Sequence, residues 1–83
     1  MIPDKALVKY LLGILNRIGP AGLEEIALIT ELGIAACRPL TVPLAQDTIV
    51  LCKDKGWTNS RRDDFEQTRF WITESGKTIL QGM

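Results

Sequence analysis

At 83 residues the chain has room for a single domain, since domains usually run to ~100–150 residues. Its 46% hydrophobic content excludes a disordered tail or linker. Ten basic and ten acidic residues cancel, which excludes a global field for DNA or an anionic membrane and leaves nucleic-acid affinity to a local patch.

Pro3-Asp4 leads into a first helix, with Asp4 placed to cap it. Leu7, Leu11, Ile14, Leu15 and Ile18 recur at helical spacing and form its core stripe. Val8 and Leu12 fall beside that stripe, so the apolar arc is wider than one small core requires. In so short a chain, surplus apolar surface points to self-association. A homodimer is therefore expected, with Val8 and Leu12 at its seam and Val50 as a further candidate.

The run Ala6–Ile18 is broken by Lys9, Asn16 and Arg17 and falls short of the ~20 residues of a membrane-spanning helix. Asp4 does not suit the start of a signal peptide. The expectation is a cytoplasmic protein with no membrane partner. Gly19-Pro20-Ala21-Gly22 ends the helix and turns the chain.

A second helix starts near Leu23, with Glu24 and Glu25 in its first turn, where the helix dipole favours acids. Ile26, Ile29 and Leu32 are its inward residues and Gly33 its natural stop. Ile34–Leu40 reads as an apolar, poorly patterned connection closed by Arg38-Pro39. A third helix then has clear boundaries: Thr41 or Val42 before Pro43 at the start, Lys53, Lys55 and Gly56 at the end. Ala45, Thr48, Ile49 and Cys52 form its inner face, and Gln46, Asp47, Val50, Lys53 and Asp54 the outer one.

Trp57–Ser60 and Thr68–Ile72 read as two strands joined by a turn at Arg61-Arg62-Asp63-Asp64. On the second strand Phe70 and Ile72 alternate with Arg69 and Trp71, so Trp71 faces outward beside Arg69 if the other two face the core. There it could stack on a base or on a partner protein, and it joins Val8 and Leu12 as a candidate for a dimer interface. Thr73 caps a last helix that runs through Leu80.

The predicted fold class is α+β. One winged helix-turn-helix domain spans residues 1–83, with a three-helix core, a two-stranded hairpin wing and a short C-terminal helix. Lys53-Asp54-Lys55-Gly56-Trp57, Arg69 and Ile72-Thr73-Glu74-Ser75-Gly76-Lys77 resemble the corresponding parts of MarR- and PadR-type winged-helix proteins. Those proteins commonly read as a helix ending in a Gly-hydrophobic pair, a wing, and a Leu-Thr-Glu-x-Gly opening. The resemblance covers about Thr41 to Leu80. It implies a recognition helix in the major groove and a wing near the backbone or minor groove. Thr41, Gln46 and Lys53 would then be groove-side candidates for DNA contact, with Arg61 and Arg62 at the wing tip and Arg69 behind them.

Helix 3 and the hairpin each balance their own charge, which favours a rival use of the same fold as a protein-interaction module in a multisubunit or phage assembly. No catalytic residue is assigned. The chain has no histidine, no Gly-rich phosphate loop, and no base beside Ser60 or Ser75. No metal or cofactor is expected either. Cys37 and Cys52 lack CxxC spacing and read as two buried, reduced thiols.

Overall fold

Asp4 opens the first helix by accepting a hydrogen bond from the Leu7 amide at 2.8 Å, so one of the unpaired N–H groups of the first turn is satisfied by a side chain. The computed structural model describes residues 4–83; Pro3 lies outside the described residues. The order is α1 (Lys5–Ile18), β1 (Leu23–Glu24), α2 (Glu25–Ala36), α3 (Val42–Asp54), β2 (Thr58–Arg62), β3 (Thr68–Ile72) and α4 (Glu74–Gln81). None of the described helices is long and apolar enough to cross a membrane.

α1 is the central element. It packs against α2, α3, α4 and β3, and its broad apolar arc is covered on each of those sides. Leu7, Leu11, Ile14 and Leu15 are buried as their spacing predicts. Val8 and Leu12 are buried with them, at 4% and 0% exposure. They belong to the core of one chain and cannot line a seam on its outside. Ile18, read as the end of the inner stripe, is exposed instead.

α2 departs further from expectation. It runs through Gly33 to Ala36 and stops at Cys37, whose φ of 53° is left-handed; Arg38-Pro39 follow and prevent continuation. Its core residues are Leu28 and Leu32, whereas Ile26, expected inside, is 79% exposed. Cys37 is exposed too, so only Cys52 is the buried thiol that the sequence suggested. Burial pushes the Cys52 thiol up to about 12, which keeps it protonated and unreactive.

α3 matches its reading closely. The Thr41 hydroxyl accepts from the Leu44 amide at 3.2 Å, and Ala45, Thr48, Ile49 and Cys52 are its buried residues. Beyond Lys55, Gly56 turns the chain at φ 77°. β2 and β3 then pair antiparallel, with Thr58 opposite Ile72 and Arg62 opposite Thr68. A short strand that the sequence did not predict completes the sheet: β1 pairs with β3, Leu23 opposite Phe70 and Glu24 opposite Arg69, giving the order β1-β3-β2. The wing is thus tied to the start of α2.

Candidate nucleic-acid interface

α2, α3 and the hairpin present one continuous side of the molecule. Because α3 buries Ala45, Thr48, Ile49 and Cys52, helical geometry puts Val42, Gln46 and Val50, four residues apart, on its solvent side. Two hollows flank that stripe. One lies between α2 and α3 and is lined by Glu25, Ile26, Ile29, Thr30, Val42 and Gln46. The other lies between α3 and the wing, where Gln46, Asp47, Val50 and Lys53 face Ser60 and Thr68.

The sheet sorts the hairpin cations onto two faces. Phe70 and Ile72 are buried, and residues directly opposite in an antiparallel ladder share a face. Ser60 pairs with Phe70 and Arg62 with Thr68, so Arg62 projects on the α3 side. Arg61 is paired with Arg69, and Asn59 with Trp71; these four occupy the outer face. There Arg61, Asp63, Arg69 and Trp71 line a separate shallow hollow with Pro20 and Ala21. Trp71 is half-buried and on the outward side, as its alternation with Phe70 predicts.

Thr41 is exposed, but its hydroxyl is already engaged in capping α3. Gln46 is exposed and donates through Nε2 to Glu25 Oε1 at 3.4 Å. Lys53 and Arg62 are exposed on the α3 side. Among the described residues neither forms an ion pair. Arg69 is held by two carboxylates, Glu24 at 4.0 Å and Asp63 at 3.9 Å, and by the Gly22 carbonyl at 3.5 Å. Arg61 is exposed on the outer face and forms no ion pair among the described residues.

Arg61 and Arg62 are not at the wing tip. Both lie in β2, and the tip is Asp63-Asp64-Phe65-Glu66-Gln67. Asp63 builds it: its carboxylate accepts from the Phe65 and Gln67 amides at 2.9 and 3.0 Å, while its own N–H donates to the Gln67 carbonyl at 2.9 Å. Glu66 takes a left-handed φ of 61°. The result is an acidic tip that displays Phe65 at 85% exposure. Arginines inside an exposed strand alternate with no apolar residue, so their sequence looks like a turn. The Asp63 hydrogen bonds that move the turn two residues on leave no sequence period.

Sequence reasoning also left out Glu25, Ile26 and Val42 as parts of this surface. For Val42 a signal existed in its spacing from Gln46 and Val50. For Glu25 and Ile26 there was none, because their proximity to α3 depends on how the two helices cross. Among the described residues no three His, Cys, Asp or Glu side chains are grouped to hold a metal ion.

No protein-family model matches the chain, and no curated protein matches it. Solved structures do. A mutant of MepR from S. aureus superposes with a TM-score of 0.77 at 17% identity, over 95% of this chain and 55% of MepR. MepR itself, a transcription regulator of the Staphylococcus aureus multidrug efflux pump MepA, gives 0.75 at 17% identity over 92% and 52%. SSV1 F-93 gives 0.74 at 20% identity over 96% of this chain and 83% of its own. A complex of MepR with DNA also matches, with a TM-score of 0.65 at 18% identity over 90% and 50%. The chain spans about half the length of the MepR structures. At these identities the likeness is one of fold, and it agrees with the element order and hairpin described above: the chain has the winged helix-turn-helix fold.

Proposed function

We propose that this chain is a DNA-binding module of the transcription-regulator type, with α3 in the major groove and the hairpin against the backbone. The observation that carries the reading is the placement of Lys53 and Arg62. Both are exposed and free of ion pairs among the described residues. They stand on the side of the molecule to which α3 turns its solvent stripe: Lys53 lines the hollow between helix and wing, and Arg62 is on the same face of the sheet as Ser60 and Thr68, which line it too. Two unpaired cations beside an insertable helix are what phosphate contact requires when the net charge is zero. The MepR–DNA complex among the similar structures adds support at the level of the fold.

Fluorescence anisotropy with a random duplex tests the proposal. Binding is expected at about 50 mM salt and should weaken steeply as salt rises. No binding at the lower salt sinks it.

A second reading has its own observation. The tip Asp63–Gln67 is acidic and presents Phe65 to solvent, a combination that phosphates repel and that a basic, apolar protein surface would accept. In that reading the chain is a protein-interaction module and binds no duplex at any salt. For the DNA-binding reading we retain a homodimer, on the ground that paired recognition helices on half-sites one turn apart are the usual geometry of such modules. It would have to use surface other than Val8 and Leu12. Sedimentation at micromolar concentration checks it, and a monomer throughout removes the two-half-site arrangement.

A further inference from the structure

We propose that α3 reads A·T base pairs: Gln46 hydrogen-bonds an adenine edge, Val42 and Val50 pack on thymine methyl groups, and Glu25 positions the Gln46 amide. The inference rests on the DNA-binding reading above and specifies what the helix recognises.

Val42 and Val50 are 54% and 55% exposed and lie outside the core of the chain. Nor do they assist the helix, since a β-branched residue is a poorer helix former than the Lys, Glu or Gln that usually occupies a solvent face. Folding therefore gives no reason for two valines one turn either side of Gln46. Base recognition does. In the major groove the C5 methyl of thymine is the apolar group on offer, and adenine presents N7 as acceptor beside N6 as donor.

The Gln46 amide has two N–H groups and one oxygen. One N–H is turned to Glu25 Oε1 at 3.4 Å, which leaves one N–H and the oxygen for a base. That donor-acceptor pair matches adenine N7 and N6. Guanine presents two acceptors, N7 and O6, and the remaining single N–H cannot serve both. Glu25 thus removes the alternative in which both N–H groups face guanine. It acts through Gln46 as a positioning residue, held at the junction of β1 and α2. Asp47, next on α3, is the competing feature, because a carboxylate accepts from the N4 amino group of cytosine and would favour G·C pairs.

The test uses the whole chain and three duplexes of equal length: one of A·T pairs, one of G·C pairs, and the A·T duplex with deoxyuracil in place of thymine. Anisotropy at one low salt concentration is expected to show the A·T duplex bound about 10-fold or more tightly than G·C, the discrimination of one good bidentate contact. Deoxyuracil, which removes only the major-groove methyl, should weaken binding several-fold. Val50→Ala should abolish most of that sensitivity while its circular dichroism is unchanged. Gln46→Ala and Glu25→Ala should each collapse the A·T over G·C ratio without flattening the salt dependence, a selectivity that a purely structural role would not produce.

Equal affinity for A·T and G·C overturns the inference and leaves the DNA-binding reading standing. A preference for G·C overturns it in favour of Asp47. An A·T preference indifferent to deoxyuracil also overturns it, since a narrow minor groove would then be the feature recognised. No binding to any duplex removes both readings.

Discussion

Two glycines at the C-terminal end of the chain are required for different reasons. Gly56 has φ 77° and open space around a would-be Cβ, so its constraint is backbone conformation alone. Gly76 is helical, but a Cβ there would overlap the Trp57 carbonyl oxygen and come within 2.7 Å of Ile72 Cγ1. Thr73 joins the two regions by donating to the Gly56 carbonyl at 2.6 Å and accepting from the Gly76 amide at 3.1 Å. The Lys55-Gly56-Trp57 and Thr73–Gly76 segments, separate signals in the sequence, are the two sides of one close contact. Gly56→Ala is expected to destabilise by roughly 1 kcal/mol. Gly76→Ala should reach roughly 3 kcal/mol, the upper part of the overpacking range, because rigid backbone has to move. Urea midpoints at constant m-value check both, and equal losses would contradict the distinction. At the wing tip, Asp63→Ala deprives two amides of their acceptor and should cost roughly 1 kcal/mol. Hydrogen exchange should then quicken at Phe65 and Gln67 while the α1 amides remain protected.

Among the elements, legibility followed contrast between faces. α3 alternates polar and apolar residues on a helical period, and its inner face could be read from the sequence without error. α2 is apolar nearly all round, with Ile26, Ala27, Leu28, Ile29, Leu32, Ile34 and Ala35, so periodicity could not separate the buried Leu28 from the exposed Ile26. β1 has two residues, too few to show an alternation, and only its pairing with β3 defines it. The breadth of α1's apolar arc suggested a partner because the sequence cannot show that one helix is surrounded by four elements. One tie between elements has a pH signature. Asp4, cap of α1, accepts from Arg38 in the α2–α3 connection at 2.7 Å, and this bond, followed by that from the Leu7 amide, lowers its carboxyl below the ordinary 3.8. A carboxyl lowered on folding stabilises the native state above its unfolded pKa, and that contribution disappears as pH falls through the folded value. Both side chains are about half exposed, so Arg38→Ala should change stability little near pH 7. That small difference should close in the acid limb, below about pH 4, where the variant's stability falls less steeply than that of the parent chain. Parallel acid limbs would show that the bond does not persist in solution.

On the scale of the whole molecule, neutrality conceals an uneven distribution of cations. Lys53, Arg61, Arg62 and Arg69 are all candidates for DNA contact on the sequence, and strand alternation separates Arg62 from Arg61 and Arg69. Lys53 and Arg62 stand on the α3 side, unpaired among the described residues. Arg61 and Arg69 share the outer face with Trp71, where Glu24 and Asp63 hold Arg69. The register responsible comes from Phe70 and Ile72 entering the core, and slipping it by one residue would exchange the faces. If α3 and the wing engage DNA, the two pairs must behave differently. Every cation that neutralises a phosphate contributes about 0.9 to the slope of log K against log salt. Replacing Lys53 and Arg62 together by Ala should therefore flatten the slope by about 1.8. The same change at Arg61 and Arg69 should leave the slope nearly unaltered and act mainly through Glu24 and Asp63, left without their cation, as a loss of stability. The opposite result, with the outer pair governing the slope, would mean that the sheet's outer face meets the duplex and that α3 does not enter the groove. Equal small effects from both pairs, in a chain that still binds, would assign the phosphates to other cations such as Lys5, Lys9 or Lys55, and with them a different docking face.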